Sequence, residues 1–327
     1  MGLGEKTTKD YWLIWSKWVN QKAPWLFKSV REIYWQKVPQ PYASKLVEYS
    51  LLMRMNKPIG TYLLLWPTLW ALLFAEKGAP SLFLLFVFIC GTFLMRSAGC
   101  VINDIADRKF DGHVERTQAR PLARKAVSTK EAVALFLVLS LVAFGLVLLL
   151  NVFTITLSFV AIIIASLYPY MKRYTYFPQL ILGAAFAWSI PMAYAASTNT
   201  VPPEAWLLYI STLLWVLAYD TFYGMVDRKD DMKIGIKSTA ILFGDADLPI
   251  IAMIQGFFLF GMLLLGNRYD LTWPYYLSLL ASVGFMAYQF WITRKRQPDQ
   301  CFKAFLNNNY IGLSIFVGIA LHYAIGG

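Results

Sequence analysis

The sequence predicts an all-α, polytopic membrane protein, and three observations carry that prediction. Apolar residues fill 58% of the 327 positions and charged residues only 15%, against about half and a quarter in ordinary soluble domains. The apolar residues gather into runs of the length that spans a bilayer, about 20 residues of helix. The basic residues are divided very unevenly among the joints between those runs. With a mean hydropathy of +0.50, this excludes a disordered chain and argues against a soluble enzyme.

Nine runs qualify: 58–75, 81–103, 131–150, 152–170, 178–197, 204–223, 248–266, 273–292 and 306–325. The first is closed by a turn from Gly78 to Pro80. The second carries Arg96 in its interior and ends at Asn103. The third and fourth meet at Asn151, and the fourth stops at Lys172 and Arg173. The fifth contains Gly183, Ala184, Ala185 and the breaker Pro191, and Pro202 and Pro203 separate it from the sixth. Gly266 and Asn267 close the seventh, while a basic stretch follows the eighth. Nothing resembles a linker or a soluble domain, so residues 46–327 read as one transmembrane domain. Residues 1–45 lack a secretory signal but carry Trp12, Trp15, Trp18, Trp25 and Trp35 among lysines. That composition suits short helices lying in the cytoplasmic interface.

Orientation follows from lysine and arginine. Twenty-seven of them precede the first run or follow the even-numbered ones; only Lys77 and Arg268 lie in the opposite joints. The N-terminus is therefore expected in the cytoplasm and the C-terminus outside. On this reading the net charge of +11 reports topology, and no nucleic-acid partner is expected. Three cysteines without a C-x-x-C pair and two histidines suit neither a disulfide framework nor a zinc site.

Seven of the nineteen acidic residues fall in two short windows, N-D-I-A-D-R-K-F-D at 103–111 and D-T-F-Y-G-M-V-D-R-K-D-D at 220–231. Both follow even-numbered runs and so lie on the cytoplasmic side. At about 100° per residue, Asn103, Asp107 and Asp111 fall within roughly 80° of one another, and Asp220, Asp227 and Asp231 within roughly 40°. Each helix end thus presents a column of oxygen ligands. Carboxylates facing one another near a membrane need cations. Oxygen donors without thiolate or imidazole select a hard ion, Mg²⁺ before Zn²⁺. Mg²⁺ usually completes its shell with water and substrate phosphates, so a diphosphate is the natural co-ligand. The blander alternative pairs these acids with Arg108, Lys109, Arg228 and Lys229 in solvated loops.

In these motifs the chain resembles the UbiA superfamily of intramembrane prenyltransferases, and in particular its 4-hydroxybenzoate branch. The likeness extends to K-P-I-G-T-Y-L-L-L-W-P-T-L-W at 57–70, Y-P-Y-M-K-R-Y at 168–174, L-G-A-A-F-A-W-S-I-P-M-A at 182–193, the stretch 218–244, and C-F-K-A-F-L-N-N-N-Y at 301–310. It covers about residues 46–327; the long N-terminal segment and Gly224, where an alanine is common, depart from it. The resemblance implies nine transmembrane helices around a central cavity with cytoplasmic helical caps, in a bacterial inner membrane. It implies transfer of a polyprenyl group from polyprenyl diphosphate to the carbon ortho to the hydroxyl of 4-hydroxybenzoate, in ubiquinone biosynthesis. Asn103, Asp107, Asp111, Asp227 and Asp231 would bind Mg²⁺. Tyr168, Lys172 and Arg173 would contact the diphosphate and its donor.

Lys237, after the second acidic column, is placed to reach back to the same site. Arg54 and Arg96 are the candidates for the acceptor's carboxylate, since an arginine inside a span suggests a functional partner. Tyr223, three residues from Asp220, is expected to face the acidic column. The lipid tail should leave sideways into the bilayer, and no obligate protein partner is evident. The rival readings are another aromatic acceptor on the same scaffold, a divalent-cation transporter, and a non-catalytic scaffold. A transporter would want acids along a midplane path, not at two cytoplasmic ends.

Overall fold

The computed structural model describes residues 40–108 and 117–326. The tryptophan-rich segment predicted to lie in the interface falls almost wholly outside them, as does Asp111. Every element among the described residues is helical, because a chain passing through hydrocarbon must satisfy each backbone N–H and C=O within its own element. Seven helical stretches are long and apolar enough to cross a membrane. They are α3 (Leu82–Asp107), α4 (Thr129–Val147), α5 (Val152–Met171), the pair α6 (Pro178–Ala187) and α7 (Ser189–Thr198), α8 (Pro203–Lys233), α9 (Thr239–Phe243) continued by α10 (Asp247–Arg268), and α12 (Pro298–Ala324). Before them come α1 (Gln40–Leu52) and α2 (Ile59–Ala75), the latter apolar but only 17 residues long. The 21-residue α11 (Trp273–Thr293) lies between α10 and α12.

All nine predicted runs are helical. Their boundaries shift at both acidic motifs, where α3 continues through Asn103 to Asp107 and α8 runs well past position 223 to Lys233, and at α12, which begins eight residues early at Pro298. Hydropathy falls where charge begins, but helical hydrogen bonding does not. The fifth run is broken at Trp188, three residues before Pro191. Pro191 has no N–H for the carbonyl of Ala187, and its ring crowds that carbonyl.

The described chain forms two units, residues up to 58 with 97–139, and 59–96 with 140–327. In the first, α1 is tied to its surroundings by charge. Lys45 donates to Glu131 (2.8 Å) and to the Ala126 carbonyl (3.1 Å), Tyr49 donates to Glu131 (3.0 Å), and Glu48 pairs with Arg124. Glu131 also closes a capping box at the start of α4: the Ser128 N–H donates to its carboxylate (2.7 Å), and its own N–H donates to the Ser128 hydroxyl (3.2 Å).

In the second unit α8 lies at the centre, packed on α6, α10 and α12. Its Trp215 and Tyr219 are fully buried with Trp70, Phe258 and Tyr275. The indoles are satisfied as burial requires: Trp215 donates to Asn308 (3.0 Å), Trp70 to the Gly312 carbonyl (3.1 Å) and Trp66 to Asn309 (2.9 Å). A buried amide relay runs from Gln255 of α10 through Gln289 of α11 to Asn307 of α12, at 2.9 and 3.0 Å. Outward faces instead carry exposed apolar side chains such as Phe257, Phe260, Leu280 and Trp291, as helices facing lipid do.

Candidate active site

The first acidic motif occupies the last turn of α3. Asn103 is half-buried and Asp107 is buried, one helical turn apart on one face. Asp104, between them in sequence, points elsewhere. It is fully buried, and accepts from Arg54 (2.8 Å) while pairing with Arg120 (3.2 Å). Arg54, expected to meet an acceptor carboxylate, thus has its guanidinium on Asp104. Arg108 turns back to donate to the Ile105 carbonyl (2.7 Å), satisfying one of the last carbonyls of the helix. Asp111 lies outside the described residues.

The second motif lies on the C-terminal half of α8, where Asp220, Asp227 and Asp231 are all partly exposed. Two of their basic neighbours are engaged elsewhere: Arg228 pairs with the buried Asp247, which Arg296 also holds (2.9 Å), and Lys233 pairs with Asp230 (3.0 Å). Tyr223 packs its ring on Phe305 (5.0 Å) and Phe302 (6.2 Å) of α12. Arg96 of α3 exerts its charge on Asp220 and on the neighbouring Tyr219. The Tyr219 hydroxyl is buried and has no hydrogen-bond partner among the described residues.

The basic set is brought together by backbone. Tyr168 packs against the main core near the end of α5, Lys172 caps that helix, and Arg173 lies over the Tyr170 ring at 5.6 Å. The segment after α8 is laced to this turn. The Lys237 N–H donates to the Lys172 carbonyl (2.9 Å), and its ammonium donates to the Tyr174 carbonyl (3.3 Å) and sits over the Tyr176 ring (5.5 Å). The Thr239 N–H donates to Gln179 (3.0 Å), and the Thr221 and Thr239 hydroxyls lie 2.8 Å apart, pinning that segment to α6 and α8. Lys237 therefore joins the Lys172 turn.

Both acid sets stand at helix C-termini, the negative end of the helix dipole, where carboxylates are disfavoured. Helix stability does not explain their placement. Among the described residues no three His, Cys, Asp or Glu side chains converge as a ready-made metal cage. The described donors come as pairs one turn apart, Asn103 with Asp107 and Asp227 with Asp231. Sparse, all-oxygen sets of this kind fit Mg²⁺, which retains water and phosphate ligands. The ion pairs of Asp104 and Asp247, and the orphaned Tyr219 hydroxyl, were not legible in sequence. The arginines in those pairs lie 16 to 50 residues away, and no local spacing signals them.

The UbiA prenyltransferase family model matches residues 64–312. A protein of Stutzerimonas stutzeri (strain A1501) named 4-hydroxybenzoate octaprenyltransferase is 59% identical over 277 residues, 85% of this chain and 93% of that one. The protein of that name from Nitrosococcus oceani is 58% identical over 279 residues, 85% of this chain and 98% of its own length. Among solved structures, the apo form of a UbiA homolog from Aeropyrum pernix K1 superposes with a TM-score of 0.72 at 24% identity, over 80% of this chain and 97% of that one. A UbiA homolog from Archaeoglobus fulgidus bound to GPP and Mg²⁺ gives 0.61 at 15% identity, over 82% and 99%. These two share the fold. With its family model covering most of its length and relatives of this closeness, the chain belongs to the UbiA prenyltransferase family.

Proposed function

We propose that this chain transfers a polyprenyl group, octaprenyl by the names of its relatives, from its diphosphate to the carbon ortho to the hydroxyl of 4-hydroxybenzoate, in ubiquinone biosynthesis. The observation that carries the reading is the 59% identity to a 4-hydroxybenzoate octaprenyltransferase over 93% of that protein's length. In this proposal the chain crosses a bacterial inner membrane nine times, with the N-terminus and the acidic helix ends in the cytoplasm. Residues 46–327 form the catalytic domain, and residues 1–45 lie in the interface.

Asn103, Asp107, Asp111, Asp227 and Asp231 hold Mg²⁺ together with the diphosphate. Bound Mg²⁺ supplies the charge that makes diphosphate a good leaving group from its allylic carbon. Tyr168, Lys172, Arg173 and Lys237 orient the diphosphate and stabilise the negative charge that grows on it as the C–O bond breaks. Arg96 takes the acceptor's carboxylate, and Tyr223 packs beside the acceptor. The phenol oxygen enriches its ortho carbon, which bonds to the allylic carbon as the bond to diphosphate breaks; the ortho ring carbon then gives its proton to the released diphosphate, and aromaticity returns. The surrounding apolar helices keep out water, which would otherwise capture the allylic cation.

The test is incubation of membranes with octaprenyl diphosphate and 4-hydroxybenzoate, with Mg²⁺ or with EDTA. A chelator-sensitive product of the mass of octaprenyl-4-hydroxybenzoate is expected. Prenylation of a naphthoate or homogentisate in place of 4-hydroxybenzoate would overturn the acceptor, and metal flux without product would overturn the enzyme.

A further inference from the structure

Gly60 stands in the first turn of α2 and is buried. A helix gains nothing from glycine there; alanine is better by about 0.5–1 kcal/mol. What glycine provides is room. A Cβ built at this position would lie 2.6 Å from Cζ of Arg96, with Nε and Nη2 nearer still. Ordinary van der Waals contact begins at 3.4 Å, so an added methyl drives the guanidinium back by on the order of 1 Å.

We propose that Gly60 is a positioning residue for the aromatic acceptor: by carrying no side chain, it sets where the Arg96 guanidinium stands. This rests on the reading of Arg96 as the partner of the acceptor's carboxylate. The displaced atoms are the far end of a flexible side chain. At buried Gly183 and Gly312 the obstacle is structural: a Cβ would meet the Leu213 backbone carbonyl at the first and the Trp66 ring at the second. Gly91, Gly99, Gly256 and Gly284 face open space. Gly60 is thus a place where a single methyl shifts an arginine while leaving the helix free to form. Arg96 also lies near enough to Asp220 of α8 for their charges to interact, so a shifted guanidinium changes its setting toward that acid as well. A guanidinium binds a carboxylate through a rigid, two-pronged fork. Displacing such a group by about 1 Å can cost about 100-fold in rate.

The experiment uses the full chain in membranes or lipid nanodiscs, comparing wild type, Gly60→Ala, Arg96→Lys, Arg96→Leu and the double variant Gly60→Ala/Arg96→Lys. For Gly60→Ala the inference expects the KM for 4-hydroxybenzoate to rise about 10- to 100-fold, with the KM for octaprenyl diphosphate and the Mg²⁺ half-saturation unmoved. The melting temperature should hold or rise. The double variant should be no worse than Arg96→Lys alone, because the methyl then has no guanidinium to displace. An unchanged acceptor KM in Gly60→Ala, beside a raised one in Arg96→Leu, overturns the role of Gly60 and leaves the acceptor reading standing. An unchanged acceptor KM in Arg96→Leu overturns both. A lowered melting temperature in Gly60→Ala, or a donor KM that rises with the acceptor's, overturns the claim that only the guanidinium moves.

Discussion

Asp104 sits inside the first acidic motif yet is held by arginines, and replacing it separates a structural acid from those proposed to bind metal. Its carboxylate is 0% exposed, and the Arg54 and Arg120 side chains that grip it are 21% and 14% exposed. Asp104→Asn keeps the shape but removes the charge both guanidiniums answer. Each charge-assisted hydrogen bond of this kind contributes about 1.5–3 kcal/mol, and breaking a buried pair by neutralising one partner costs about 3–5 kcal/mol. A loss of about 3 kcal/mol is therefore expected, read as a lower melting temperature of the purified protein in nanodiscs. Because the groups are shielded from solvent, the loss should persist in high salt, where exposed pairs are screened. A double-mutant cycle with Arg54→Gln should return a coupling of about 1–3 kcal/mol. In the folded fraction the Mg²⁺ half-saturation should match wild type. Wild-type melting in Asp104→Asn, or a coupling within about 0.5 kcal/mol of zero, would refute the clamp. A shifted Mg²⁺ dependence with unchanged melting would make Asp104 a metal ligand instead.

Asp107→Ala and Asp227→Ala should each lower kcat by more than about 100-fold, while circular dichroism shows the helices retained, since neither acid is favourable at a helix C-terminus. Tyr219→Phe removes a buried hydroxyl with no partner among the described residues; its melting temperature should equal or exceed wild type, by up to about 1–3 kcal/mol in stability. Asp247→Asn should loosen both Arg228 and Arg296 and be detected as faster proteolysis between α11 and α12. Burial pushes the Tyr269 phenol from 10.0 up to about 12, where it stacks on Phe74 at 4.6 Å and shares a 2.6 Å hydrogen bond with Tyr194. Its folded value is raised, so its contribution is complete below pH 10 and is lost as the pH climbs towards 12. A pH series of melting temperatures should therefore lose this part of its alkaline slope in Tyr269→Phe.

The helices were legible because bilayer-length apolar runs have one solution in lipid, and Pro191 announced the break that α6 and α7 show. Helix ends were less so. The acids of α3 and α8 end a hydropathy signal without ending a helix, and the structure carries both onward. The one-turn spacing of Asn103 with Asp107 and of Asp227 with Asp231 could be read, because α3 and α8 stay helical through both pairs. Arg54 could not be read, because whether a basic residue near a span meets substrate or a buried acid depends on a partner 50 positions away. Gly60 was equally silent, since a glycine's meaning lies in what would collide with the side chain it lacks.

The chain of amides from Gln255 through Gln289 to Asn307 has a consequence for assembly. Lipid tails welcome any greasy flank of a helix equally, so oiliness alone gives three neighbours no preferred rotation about their own axes. Carboxamides that lose their partners inside hydrocarbon leave several polar atoms stranded, so this ladder favours the rotation in which Gln289 meets both neighbours. A leucine at Gln289 would therefore insert as readily as the native residue while leaving the angular setting to fewer bonds, such as Tyr275 on the Met262 carbonyl and Ser282 on Ser314.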